Sequence, residues 1–127
     1  MKETAKRKVK RKIKRPELLQ VIIDSIREKK GENLLSLDLK KIKESVADYF
    51  VICEAVSSTQ VSAIAGYIEK NVFEKLHEKP FHTEGLAQQE WVLIDYVDII
   101  VHVFQPKVRA FYQLEDLWHD AALETYE

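Results

Sequence analysis

Apolar positions along this chain change period several times, and each change marks out an element. Leu18, Leu19, Ile22, Ile23 and Ile26 recur at helical spacing, with Gln20, Asp24, Arg27 and Glu28 on the wet side. Pro16 suits the first turn, where its missing N–H costs nothing. Lys29 and Lys30 favour the far end through the helix dipole, and Gly31 is the predicted C-cap. Leu34–Leu39 then reads as a strand, and after a polar stretch Tyr49–Cys53 reads as a second one, apolar on both faces. Ser57, with Gln60 three residues on, fits a capping box opening a helix. That helix carries Val61, Ile64, Ala65, Ile68, Val72 and Leu76 along one stripe and stops before Pro80. Phe81-His82-Thr83 is a short extended piece. Two apolar runs, Trp91–Ile94 and Ile99–Phe104, flank a short acidic connection and predict a hairpin near the middle of a sheet. Their doubly apolar faces require cover on both sides, from helices or from a partner. Pro106 closes the last long strand, and from about Val108 the chain is turn or helix as far as Trp118.

The predicted order α, β, β, α, β, β, β, α gives an α/β (α+β) fold, a mixed sheet flanked by helices in two or three layers. The connector between the first two strands is about nine residues, too short for a crossover helix, so those strands are expected to be antiparallel neighbours. The second and third strands span a whole helix and are expected to run parallel.

Length and charge refine the picture. A chain of 127 residues reads as one domain, residues 16–127, with a separate arm in front. Residues 1–15 hold nine Lys or Arg and one Glu, a charge of +8, whereas residues 16–127 sum to −9. Like charges in a block repel, so the arm is expected to be disordered when free and to be ordered by phosphates. The bland alternative is a solubilising tail, or an arm resting on its own acidic body. The single Cys53, set in a strand, reads as a small buried hydrophobe and fits a reducing compartment, the cytoplasm. No apolar run approaches the length of a membrane span.

Catalytic signatures are scarce. Gly31, Gly66 and Gly85 are too far apart to form a phosphate-cradling loop. Ser57-Ser58 at a helix start could hold a phosphate, although capping explains the same residues. Asp95 and Asp98 could together hold Mg²⁺ for nucleotidyl transfer, but they bracket a tight connection, where Asp is ordinarily a turn former. Exposed binding acids at the hairpin tip are the favoured reading. His77, His82, His102 and His119 lack ligand spacing, so no metal or cofactor is expected. His102 alternates with Ile100 and Phe104, as either a hydrogen-bonded core residue or part of a docked surface. Tyr96, Phe111, Tyr112, Leu117 and Trp118 are more large side chains than a short terminal region can hide, and with Arg109 they fit an interface centre. The competing reading is a C-terminal segment folded back over its own sheet.

Ala47–Cys53, Ser57–Val61 with Ala63–Ala65, Glu84-Gly85, Glu90–Tyr96 with Asp98–Phe104, and Arg109–Trp118 together resemble the ribosomal silencing factor family, also called Iojap-like proteins. The resemblance runs in order from about Leu18 to Trp118. It implies a nucleotidyltransferase-like fold without working transferase residues. It also implies docking on the fourteenth protein of the large ribosomal subunit, at the face that meets the small subunit, so that joining is blocked and translation falls. Homodimers are implied off the ribosome. The partner-binding role carries over to Trp91, Asp95, Tyr96 and Asp98, and less directly to Arg109, Tyr112, Leu117 and Trp118, as surface or core support. Two departures stand out. Val97 occupies a turn position where the family commonly has Gly, and a β-branched residue is unfavourable at positive φ. The arm is longer and more basic than the family core, and unlike an import sequence: its charge run is dense and it has one hydroxyl residue, Thr4. Its Lys6, Arg7, Lys8, Lys10, Arg11 and Lys12 are the expected rRNA contacts. Two other function classes compete with this reading: a Mg²⁺-dependent nucleotidyltransferase using Asp95 and Asp98, and an RNA-binding module acting through the arm.

Overall fold

The computed structural model describes residues 16–126, so the predicted arm and its six rRNA-contact residues lie outside the described residues. Helix α1 occupies residues 16–28 and is followed by strands β1 (Glu32–Asp38) and β2 (Tyr49–Glu54) and helix α2 (Ser58–Leu76). Three strands come next, β3 (His82–Glu84), β4 (Trp91–Asp95) and β5 (Ile99–Phe104). Two short helices, α3 (Pro106–Tyr112) and α4 (Leu114–Leu117), lead to a final strand β6 (Ala122–Thr125).

The strands form one six-stranded mixed sheet in the order β3-β4-β5-β2-β1-β6. As expected, β1 and β2 are antiparallel neighbours and β4 and β5 form an antiparallel hairpin. β2 and β3 run in the same direction, as expected, but they are not neighbours in the sheet. β2 pairs with β5, Val51 opposite Val101, and not with the strand that follows α2. Burial explains the choice: β2 and β5 are the strands with apolar residues on both faces, so they take the two central places. β3, His82-Thr83-Glu84, has little to bury and sits at the edge beyond β4.

Alternation sorts the side chains onto two faces. On one face Val51, Cys53, Val92, Ile94, Val101 and Val103 pack beneath α1 and α2. Asn71 of α2 donates to the Ser25 hydroxyl of α1 at 3.0 Å inside this layer, so a buried polar pair fixes how the helices meet. On the other face Phe50, Ile52, Ile100 and Phe104 are covered by Ile42, Val108, Leu114 and Trp118, from short helices and connectors. That cover is thin.

Local chemistry accounts for the element ends. Ser57 caps α2 by accepting the Gln60 N–H at 3.1 Å, but the Gln60 side chain reaches the Lys29 carbonyl instead of closing the box. The end of α1 is a Schellman motif, in which Gly31 N–H bonds the Ile26 carbonyl and Lys30 N–H that of Arg27. The left-handed residue there is Lys30 (φ 61°), one position before the predicted cap. Gly31 is small for a different reason: a Cβ on it would lie 2.6 Å from Ile26 Cγ2. The C-terminal helix begins at Pro106 itself and breaks at Gln113 (φ 48°). β6 has no sequence signal, since all four of its residues are exposed and it is a strand only because it pairs with β1.

At the hairpin tip Val97 does adopt positive φ, 76°, and its N–H is held by Asp95 Oδ1 at 2.7 Å. A β-branched residue in that region is strained by about 1–2 kcal/mol. Val97→Gly should therefore raise unfolding free energy, by about 1 kcal/mol at most after the added chain entropy is subtracted, as read from urea melts.

Candidate functional site

The sheet face under α3 and α4 carries a row of rings. Trp118 meets Phe50 edge-on at 5.9 Å, Phe50 meets His102 at 4.7 Å, and His102 lies 5.9 Å from Trp91. Trp91 in turn lies 4.9 Å from Tyr112, which meets Phe111 at 5.0 Å. The row emerges from the core into water. Phe50 and His102 are buried, Trp91 and Trp118 are half-buried, and Phe111 is 79% exposed. Leu117, next to Trp118 in the chain, is 69% exposed, so this region presents large apolar side chains to solvent, as a docking site would.

Local structure places each member. Trp91 opens β4 opposite Phe104 of β5, and the two rings lie 4.8 Å apart. Gly85 allows this, because at φ 88° its position would bring any Cβ to 1.9 Å from the Trp91 carbonyl oxygen. Beneath Trp91 the indole Nε1–H donates to His102 Nδ1 at 3.1 Å. An indole is a donor only, so His102 must accept there and carry its proton on Nε2. Burial drives the imidazole pKa down to about 3, which keeps the ring neutral. Of the two readings of His102, the hydrogen-bonded core residue is the one observed.

The predicted contact residues separate into three groups. Trp91, Tyr112 and Phe111 come together, with Trp118 joined to them through Phe50 and His102. Asp95 shares the face of Trp91 but lies four residues along β4, roughly 13 Å away. Three others are inside the molecule. Tyr96 is fully buried in the α1–α2 layer, and burial pushes its phenol pKa up. Asp98 is buried too, and its carbonyl accepts the N–H groups of Asp48 and Tyr49, stapling the tip to the start of β2. The expectation of two exposed tip acids is thus corrected: Asp95 is half-exposed, whereas Asp98 supports the turn.

Arg109 is the third, and of surface or core support it has the buried place. It is 8% exposed and all three guanidinium nitrogens donate. Nη1 donates to the Asn33 carbonyl at 2.7 Å and to Glu54 at 3.1 Å, while Nε and Nη2 both reach Glu115 Oε2, at 3.1 and 3.0 Å. The fork ties α3 to the start of β1 and the end of β2, which holds the aromatic end of α3 against the sheet. An open hollow of about 490 Å³ lies over this node, lined in part by Glu54, Pro106, Gln113 and Asp116.

Among the described residues no group of three or more His, Cys, Asp or Glu is placed to hold a metal ion. Asp95 has one oxygen committed to the Val97 N–H, and Cys53 is buried, with its thiol pKa pushed up to about 12 by desolvation. Ser57 is occupied as a helix cap.

Two predictions come from these geometries. Arg109→Ala leaves Glu54 and Glu115 without their partner and should cost on the order of 3 kcal/mol in denaturant melts, with Arg109→Lys in between. Acid should weaken the fold through His102. The folded ring stays unprotonated down to about pH 3, while the unfolded chain takes up a proton near pH 6.5. Between those values the unfolded state binds more protons, so stability falls as pH falls, by up to about 1.4 kcal/mol per pH unit. Melts of His102→Asn over the same range should lack that increment.

The comparisons with known proteins agree with one another. The model of the family described as ribosomal silencing factor during starvation matches residues 12–127. The chain is 44% identical over 105 residues to the ribosomal silencing factor RsfS of Halalkalibacterium halodurans, covering 83% of this chain and 88% of that one. It is 40% identical to the protein of the same name from Bacillus subtilis, again covering 88% of the relative. A crystal structure from Chromobacterium violaceum superposes with a TM-score of 0.77 at 31% identity, covering 82% of this chain and 85% of the other. One from Bacillus halodurans gives 0.73 at 39% identity, covering 88% and 98%. Matched in sequence and in fold, the chain is a member of the ribosomal silencing factor family.

Proposed function

We propose that this protein binds the large ribosomal subunit through its fourteenth protein, at the face that meets the small subunit. By its bulk it blocks subunit joining and lowers translation. The observation that carries the reading is the row of rings from Trp118 to Phe111 on the thinly covered face of the sheet. A partner that completes this cover gains the apolar burial the domain leaves unused, and Trp and Tyr are typical centres of such contacts. Family membership supports the direction, since the relatives are named ribosomal silencing factors.

Charge supports it as well. Residues 16–127 sum to −9, which suits a basic ribosomal protein and would speed and orient encounter. In this reading Trp91, Tyr112, Leu117 and Trp118 make the contact and Asp95 faces a basic group at its far end. Tyr96, Asp98 and Arg109 act from beneath by holding the shape. The arm, through Lys6, Arg7, Lys8, Lys10, Arg11 and Lys12, reaches neighbouring rRNA phosphates and adds salt-sensitive affinity. Off the ribosome a second copy covers the apolar face, which accounts for a homodimer. The protein acts in the cytoplasm and needs no cofactor. The nucleotidyltransferase-like kinship of the fold belongs to the same reading, as a scaffold kept without transfer chemistry. A transferase role for Asp95 and Asp98 has no support, because one caps the turn and the other is buried.

Subunit sedimentation tests the proposal. The full chain should co-migrate with isolated large subunits and prevent their pairing with small ones. Phe111→Ala and Trp91→Ala should each weaken that binding by about tenfold or more. Deleting residues 2–15 should flatten the dependence of binding on salt. Subunits that join normally in an excess of the protein would end the reading.

A further inference from the structure

His102 is out of place by its surroundings. It is 3% exposed on a strand face whose neighbouring positions are Ile100 and Phe104, and it packs edge-on against Phe50. Its Nε2 is buried without a hydrogen-bond partner among the described residues. A nitrogen left so is a standing cost, and an aliphatic residue would avoid it. What the histidine does provide is Nδ1, 3.1 Å from the Trp91 indole N–H. We infer that His102 is a positioning residue for the docking face, holding the Trp91 indole in the one rotation that seats Tyr112 and Phe111 for contact.

The geometry explains why Trp91 needs such a hold. The indole is half-buried, and its other ring neighbours, Phe104 and Tyr112, pack against it at tilts of 31° and 47°. Ring contacts of this kind accept both offset-stacked and edge-to-face arrangements, so by themselves they leave the indole's rotation open. A hydrogen bond from its single N–H removes that freedom. The effect passes outward. α3 is only seven residues long and ends at Gln113, so the place of its terminal rings depends on what they rest against. Tyr112 rests on Trp91, and Phe111 on Tyr112. Pre-setting these side chains lowers the ordering cost of binding without His102 touching the partner.

The inference rests on the docking reading above, and the test separates the two. Full-length His102→Leu, His102→Asn and Trp91→Phe are compared with the parent for large-subunit affinity and for the Trp91 indole N–H resonance. His102→Leu should shift that resonance, speed its hydrogen exchange and weaken binding about tenfold. His102→Asn, whose amide oxygen can reach the Nδ1 position, should restore both. Trp91→Phe keeps a ring but loses the N–H, so it should weaken binding to a similar degree. Combining it with His102→Leu should add little, because both remove the same bond. Parent-like binding by His102→Leu or Trp91→Phe would overturn the assignment. So would an Asn variant that is folded yet as weak as Leu. If His102→Leu fails to fold, His102→Phe, which keeps a ring but offers the indole no acceptor, takes its place. Phe111→Ala guards the premise: unchanged binding there defeats the docking reading itself, whereas weakened binding there with parent-like Trp91→Phe defeats only the role of His102.

Discussion

The parallel pairing of β2 with β5 is the contact on which the rest of the molecule depends. It joins the two strands that are apolar on both sides, so it creates two buried layers at once. Every other element takes its place by reference to that pair. The hairpin β4–β5 and the edge strand β3 extend the sheet one way, and β1 and β6 the other. The connection from β2 leaves through α2 and returns by a meander through β3 and β4, so β5 arrives parallel although it is three strands later in the chain.

The two layers differ in cover. One has α1 and the nineteen-residue α2 across it and is closed. The other has only helices of seven and four residues with a connecting loop, and its aromatic side chains run out to the surface. In the proposed reading, function follows from the asymmetry. A closed layer supplies stability, and a half-closed layer leaves free energy for a partner to gain. Arg109 and His102 make the open side usable. Each is a buried polar residue that bonds to a less buried neighbour: Arg109 holds α3 and His102 holds Trp91.

Much of the candidate site was legible in residue type and spacing. Trp91, Tyr112 and Trp118 could be singled out because large aromatics at strand starts and in short terminal helices exceed what such segments can bury alone. The roles of Tyr96, Asp98 and Arg109 were not legible. Each is an ordinary interface residue by type, and only burial distinguishes one that contacts a partner from one that supports the contact. Tyr96 follows Ile94 on the inward side of β4, so the period of two carried a hint of its place. Arg109 offered none, because its partners Asn33, Glu54 and Glu115 are as far as 76 positions away.

The sequence by itself determined most of the elements: helical stripes, doubly apolar strands, the Ser57 cap and the strained turn at Val97 all depend on interactions a few residues long. Tertiary structure alone decided which strands became neighbours, that Ala122–Thr125 is a strand at all, and which polar side chains lie inside. Those outcomes are set by pairing between distant segments competing for the same edges and the same cover. Local periodicity says that a face must be buried, but not what will bury it.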